Sequence, residues 1–222
     1  MAGRGLTDVL LDVCTQRDYL CRDGARRSVN ADQVVTNIKH LMAFARWAKV
    51  PTISCVDGCR PDAARGLRNP CCVLGTEGYR KIQFSLLPNR VVVESDNRLC
   101  ISLDILKQHQ QAILSKQHRD PFTNPKLDRL LTEMATRRYL VFGISLESSI
   151  RLLGLGLLLR GRRVTVVHDA CGFWNAMEAD MSLRQMLAKG CDIMSTQELI
   201  RSKLAQLSER ARRRLRQWRV VA

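Results

Sequence analysis

Apolar positions along this chain follow two rhythms. Short, nearly unbroken apolar runs alternate with longer stretches in which apolar residues recur at helical spacing. The short runs are Leu6–Cys14, Thr52–Val56, Val91–Glu94, Ala112–Ser115, Tyr139–Phe142 and Val164–Val167, with a final short run at Cys191–Met194. The helical stretches are Ala31–Lys49, Leu103–Gln111, Lys126–Arg137, Ser148–Arg160, Met177–Lys189 and the segment from Thr196 onward. Val34, Ile38, Leu41, Met42, Ala45 and Ala48 make the apolar stripe of the first helix. Asn124-Pro125 supplies a start signal for the helix that follows it. Between Asp57 and Leu87 the rhythm is lost in a segment rich in Gly, Pro and Arg, and loops of that length are commonly functional.

Strands that are apolar throughout and alternate with helices describe a parallel sheet covered on both faces. The expected architecture is therefore a three-layer, doubly wound α/β domain with a mainly parallel six-stranded sheet. Sites in such sheets gather at the carboxyl ends of the strands. There the first strand presents Cys14 and Asp18, and the fourth presents Lys116 and His118. The fifth, with its turn, presents Gly143, Ser145, Ser148 and Ser149, and the sixth presents His168 and Asp169. Phe173 and Trp174 follow the sixth strand and are candidates for a pocket wall or a loop anchor.

The chain of 222 residues suits one large domain, and its 45% apolar content supports a sizeable core. No apolar run reaches the roughly 18–20 residues that span a bilayer. Leu152–Leu159, flanked by Arg151 and Arg160, reads as a buried helix. The N-terminal run meets Asp8 and Asp12 too early for a signal peptide, so a cytoplasmic location is the expectation. The nine cysteines are scattered and odd in number, which suggests reduced thiols. Cys55, Cys59 and the adjacent Cys71-Cys72 lack the paired short spacings of zinc sites, and they read as small buried hydrophobes. Gly154, Gly156 and Gly161 imitate a dinucleotide loop but fall within a helix, where close packing explains them better.

The net charge is +15. From Arg201 to Ala222 there are eight Lys or Arg and one acid, Glu209, with Leu204, Leu207, Ala211, Leu215 and Trp218 at helical spacing. This separates residues 1–200 as the main domain from a basic amphipathic helix over 201–222. A docking or subunit-contact helix is the simplest reading, one able to build the contact of the expected homo-oligomer. Contact of Arg210–Arg219 with a polyanion is the alternative.

Val141-Phe-Gly-Ile-Ser-Leu-Glu-Ser-Ser-Ile150 resembles the nucleophile turn of the isochorismatase-like cysteine hydrolases, Gly-Val-x-Thr-x-x-Cys-Val. Gly143, Ile144 and Ile150 fit; the Thr position holds Leu146 and the Cys position holds Ser149. The family's first-strand pattern Asp-x-Gln-x-Asp resembles Cys14-Thr-Gln16-Arg-Asp18, with Cys14 in place of the catalytic Asp. Asp12 is a conceivable substitute on the same strand face, about 6–7 Å further down. Ser115-Lys116 matches the family's lysine, and Gly161 to Ala170 resembles the segment that follows the turn.

The resemblance spans roughly Leu6 to Ser195 and implies hydrolysis of a small molecule at a C–N or similar bond, without a cofactor. It further implies a cis peptide at Ile144–Ser145, oxyanion donors around Ile144, Ser145 and Ser149, and a pocket that includes Gln16, Asp18, His118 and Gly143. Nicotinamidase-like members hold a metal through Asp-x-His after the second strand. Here Asp57-Gly-Cys59 keeps the Asp without the His, so no metal is expected.

With Cys14, Lys116 and Ser149 at the three catalytic positions, three readings stay open. One is a retained pocket with lost or altered catalysis, since a serine needs a genuine base and a thiol is a poor one. The second is an active Ser149–Lys116 or Cys14–Lys116 hydrolase, which requires a lysine whose pKa burial has depressed. The third is a polyanion-binding or assembly module built on the tail.

Overall fold

The computed structural model describes residues 8–94 and 100–205. In chain order these are β1 (Asp8–Val13), α1 (Arg17–Leu20), α2 (Ala31–Ala48), β2 (Thr52–Asp57), α3 (Pro61–Ala64), β3 (Arg90–Val93), α4 (Ile105–Gln108) and β4 (Gln111–Lys116). There follow α5 (Pro125–Glu133), β5 (Arg138–Ile144), α6 (Arg151–Leu159), β6 (Val164–Gly172), α7 (Ala176–Ala188), β7 (Asp192–Met194) and α8 (Thr196–Ala205). The basic segment Arg210–Arg219 lies outside the described residues.

The strands form one sheet in the order β3-β4-β2-β1-β5-β6-β7, and every neighbouring pair is parallel. The sheet has seven strands where six were expected. The short run before α8 is hydrogen-bonded to β6 as an edge, Val166 opposite Ile193. β1 is central and buried along its whole length, as befits a strand covered on both faces. From β1 the chain builds outward on one side, then returns through β5 to the other. The crevice at that reversal is where an open α/β sheet places its site.

The helices pack as their stripes dictate. Val34, Ile38, Leu41, Met42 and Ala45 are fully enclosed beneath α2. α5 begins with Pro125 in its first turn, and the Asn124 side chain accepts from the Leu127 N–H at 3.0 Å, satisfying an orphan donor. The glycines of α6 serve packing: a Cβ at Gly156 would stand 2.2 Å from the Phe122 ring, and one at Gly154 would stand 2.9 Å from the Met186 sulfur. Asp169 fastens α8, accepting from the Thr196 N–H at 2.7 Å and its hydroxyl at 2.8 Å. At the opposite end of β1, buried Asp8 pairs with Arg138 at 2.9 Å and with Lys203 of α8, so α8 crosses residue 200 without a break. These partners hold the Asp8 carboxyl below its ordinary range, although burial alone would raise it.

No helix among the described residues is long and apolar enough to cross a membrane.

Candidate active site

Strand register builds the centre of the site. In the β2–β4 ladder Asp57 stands opposite Lys116, at the carboxyl ends of both strands. Side chains that face each other across a ladder are within reach of one another. Lys116, though almost wholly enclosed, bonds the Asp57 carboxylate through its ammonium. Its other two protons go to the His118 carbonyl at 3.1 Å and the Ser149 Oγ at 3.2 Å. A lysine ammonium carries three donors, and all three are used.

Asp57 is held as carefully as the lysine. Its second carboxylate oxygen accepts from the Tyr19 hydroxyl at 2.7 Å. Its backbone is clamped by the Gln16 amide: Gln16 Nε2 donates to the Asp57 carbonyl at 2.8 Å, and Gln16 Oε1 accepts from the Asp57 N–H at 2.7 Å.

β5 delivers the third element. Gly143 sits at φ +119, where a Cβ would stand 2.0 Å from the Val13 carbonyl oxygen, so no larger residue fits. The Ile144–Ser145 peptide is cis. Leu146–Ile150 then forms one wide π-helical turn leading into α6, with Ser149 on its inner side. Such turns are frequent at functional sites. The Ser145 hydroxyl is enclosed without a hydrogen-bond partner among the described residues.

A cavity of about 430 Å³ opens over these groups. Lys116, Asp57, Ser149 and Ser145 line it together with Tyr19, Arg26, Arg119, Glu147, Arg151 and Trp174. Trp174 is fixed on three sides. Its backbone N–H donates to Glu147 at 2.8 Å, its indole N–H donates to the Arg26 carbonyl at 3.0 Å, and its ring meets Tyr19 edge-on at 5.6 Å. The Arg26 guanidinium lies 4.2 Å above the Trp174 ring.

The residues expected from sequence take different positions. Lys116, Ser145 and Ser149 meet at the cavity, and Ile144 lines it. Gly143 shapes the turn, and Gln16 positions Asp57. Asp18 works behind the wall: its carboxylate accepts from the Cys72 N–H at 2.6 Å and the Ala25 N–H at 3.1 Å. His118 contributes its carbonyl, while the side chain is exposed. Cys14 is fully enclosed at φ +51 and is not part of the cavity lining. Asp12 is committed elsewhere, to Lys81 at 2.6 Å and Ser54 at 2.9 Å.

Tyr19, Arg26, Arg119, Glu147 and Arg151 were not singled out in sequence, and Asp57 was considered only for a metal. The signal for Asp57 was its place at the end of β2, one strand over from the end of β4.

The electrostatics follow from burial and pairing. Burial drives the Cys14 thiol far above its ordinary value, so it is neutral at neutral pH. Burial would also strip the Lys116 proton, but surrounding groups outweigh it and hold the ammonium charged. The ion pair with Asp57 is the contact that favours this charged form. The Tyr19 hydroxyl is likewise pushed up, first by burial and then by Asp57, so it stays a donor.

A resident metal does not fit these side chains. Both carboxylate oxygens of Asp57 are occupied, by Lys116 and by Tyr19, and Cys59 turns its thiol to the Arg60 carbonyl at 3.6 Å. Among the described residues no three His, Cys, Asp or Glu side chains converge as an ion site.

This parallel α/β sheet, with a lysine from one strand end meeting a hydroxyl on the turn after another, defines an isochorismatase-like hydrolase fold. An isochorismatase domain model matches residues 8–198, and the chain belongs to that family.

Solved structures agree on the fold. A pyrazinamidase of Pyrococcus horikoshii in complex with zinc is 18% identical, with a TM-score of 0.67 over 85% of this chain and 98% of that one. An isochorismatase-like hydrolase from Alkaliphilus metalliredigens is 15% identical, with a TM-score of 0.68 over 88% and 98%. The nicotinamidase/pyrazinamidase from Bacillus subtilis is 15% identical, with a TM-score of 0.68 over 86% and 100%. No curated protein matches the sequence.

Proposed function

We propose that this chain keeps the family's small-molecule pocket as a ligand-binding site and has lost nucleophilic hydrolysis. One observation carries the reading: Lys116 is paired with the Asp57 carboxylate and donates to Ser149, and that pairing favours its charged form. A serine nucleophile needs a group that takes its proton. A lysine held charged supplies protons instead, and Cys14 is enclosed beneath the site as a neutral thiol. The inherited chemistry, hydrolysis of an amide or similar C–N bond, would have needed a carboxylate where Cys14 stands and a thiolate where Ser149 stands.

The test compares wild type with a Cys14→Asp, Ser149→Cys double variant on nicotinamide, pyrazinamide, other small amides and isochorismate-like ethers. A silent wild type beside an active double variant supports the reading. Wild-type turnover that Lys116→Ala abolishes would overturn it, and would establish the second reading, an active Ser149–Lys116 or Cys14–Lys116 hydrolase. The 3.2 Å contact between Lys116 and Ser149 is what favours that second reading.

We further propose self-association in the cytoplasm, with contact of Arg210–Arg219 with a polyanion as the alternative role of that segment. Sedimentation addresses the first. Salt-dependent binding to RNA that disappears when residues 210–222 are removed addresses the second.

A further inference from the structure

Behind the cavity wall lies a thiol pair that the reading above does not use. Cys71 and Cys72 are consecutive. Cys72 is fully enclosed, with φ +51 and its N–H held by Asp18 at 2.6 Å. Cys71 is only half-buried, and its sulfur lies 3.5 Å from the Tyr19 hydroxyl. From there the contacts run without a break: Tyr19 to Asp57 at 2.7 Å, Asp57 to Lys116, and Lys116 to Ser149 at 3.2 Å. A half-open sulfur is thus joined to the floor of the pocket by three side chains.

The middle of this chain is a single-proton device. A tyrosine hydroxyl has one proton to donate. Asp57 and Cys71 both touch that hydroxyl, so what is given to one is withheld from the other. The surroundings of Cys71 favour its thiolate. The neighbouring Cys72 thiol donates to it, and with help from Tyr19 and Arg26 this outweighs burial and Asp57 and lowers the Cys71 pKa to about 6. Partial exposure, an adjacent thiol and thiolate character mark oxidation-sensitive cysteines.

We propose that Cys71 is a peroxide-reactive modification site, coupled to the pocket through Tyr19 and Asp57. The Cys71 thiolate attacks one oxygen of hydrogen peroxide. An S–O bond forms, the O–O bond breaks, and the departing hydroxide takes up a proton and leaves as water. Sulfur is oxidised by two electrons to the sulfenic acid, and peroxide is the electron acceptor. Condensation with the Cys72 thiol would then form an S–S bond and release a second water. In the sulfenic state, before that condensation, the new oxygen on Cys71 meets Tyr19 and competes with Asp57 for its proton, so oxidation loosens the hold on Asp57, the partner of Lys116. Coupling of this kind is reciprocal: a change at Asp57 alters Cys71.

The full-length wild type is exposed to limiting hydrogen peroxide with dimedone across pH 5–9, and each cysteine is followed by peptide mapping. Exposed Cys100 is the internal reference. At pH 6 Cys71 is expected to oxidise roughly tenfold faster than Cys100; its larger thiolate fraction is partly offset by weaker nucleophilicity. Its rate should level off above about pH 6, where its thiolate is fully formed. A dimedone adduct on Cys71 and loss of two hydrogens from the Cys71–Cys72 peptide both count as oxidation there. Oxidation of Cys71 no faster than Cys100 overturns the site.

Asp57→Asn removes both the competitor for the Tyr19 proton and the charge that opposes the thiolate, so Cys71 should react several-fold faster. Tyr19→Phe, a milder change, should slow it. If the variants that fold leave the Cys71 rate at the wild-type value, the coupling to the pocket is overturned.

Discussion

Two of the lysine–aspartate pairs on this sheet, Lys81–Asp12 and Lys116–Asp57, differ in what surrounds them. Lys81 and Asp12 are sealed in, at 5% and 0% side-chain exposure, and their remaining contacts are Thr15 and Ser54. Lys116 and Asp57 are the same chemistry at the strand ends, but Asp57 retains 27% exposure and the pair borders the cavity. The sealed pair bonds only to the protein around it, whereas the open pair can trade a contact for a ligand or for water. An ion pair marks a site through its unsealed side, and the charges alone do not make it one.

The comparison breaks most readily through Lys81→Met. Leaving Asp12 charged and enclosed should cost about 3–5 kcal/mol of stability, measured by urea unfolding at pH 7. Lys116→Met should cost less, about 1–3 kcal/mol, because water can reach Asp57 through the cavity. Equal losses in the two variants would remove the distinction.

Another enclosed carboxylate, Asp8, sharpens the picture through pH. Asp8 has a folded pKa below its unfolded value, so its contribution is fully present above the ordinary carboxylate range. It disappears as pH falls through the folded value. The urea midpoint should therefore drop between pH 5 and pH 2, and Asp8→Asn should flatten part of that drop. A wild-type drop that the variant reproduces in full would place the acid sensitivity elsewhere.

The smallest effect expected is that of Ser149→Ala, at most about 1 kcal/mol for a lost acceptor. Differential scanning fluorimetry would read it. If Ser149 is only an acceptor, no activity vanishes with it.

Much of the fold could be read from the chain because its signals are local. The enclosed face of α2, the Gly143 turn and the Lys116 strand end each follow from a short window of residues. The run Cys191–Met194 is legible as a short strand, but the six-strand count left it out of the sheet, because a three-residue edge carries no pattern that announces its pairing with β6. The site was legible where one residue type sufficed, as at Lys116 and Ser149. It was obscure where register decided the outcome. Asp57 becomes the partner of Lys116 only once β2 and β4 are aligned, and Asp12, two residues below Cys14, is already taken by Lys81 from a distant loop. Asp18 was grouped with the pocket for its position after β1, yet its carboxylate is spent on two backbone N–H groups. Trp174 depends on contacts with Arg26 and Glu147 that no sequence spacing announces.

The Gln16 amide gives and receives one hydrogen bond with the backbone of Asp57, which is the exchange one peptide group makes with another. In effect a side chain counterfeits one more rung of the β1–β2 ladder beyond the point where β1 has ended. The carboxylate above that rung inherits the stiffness of the sheet while facing open space. It is aimed before any visitor arrives, and little ordering entropy remains to be lost on contact. Gln16→Glu, which replaces the donor by a second carboxylate, would turn that rung into a hinge and let the charge swing.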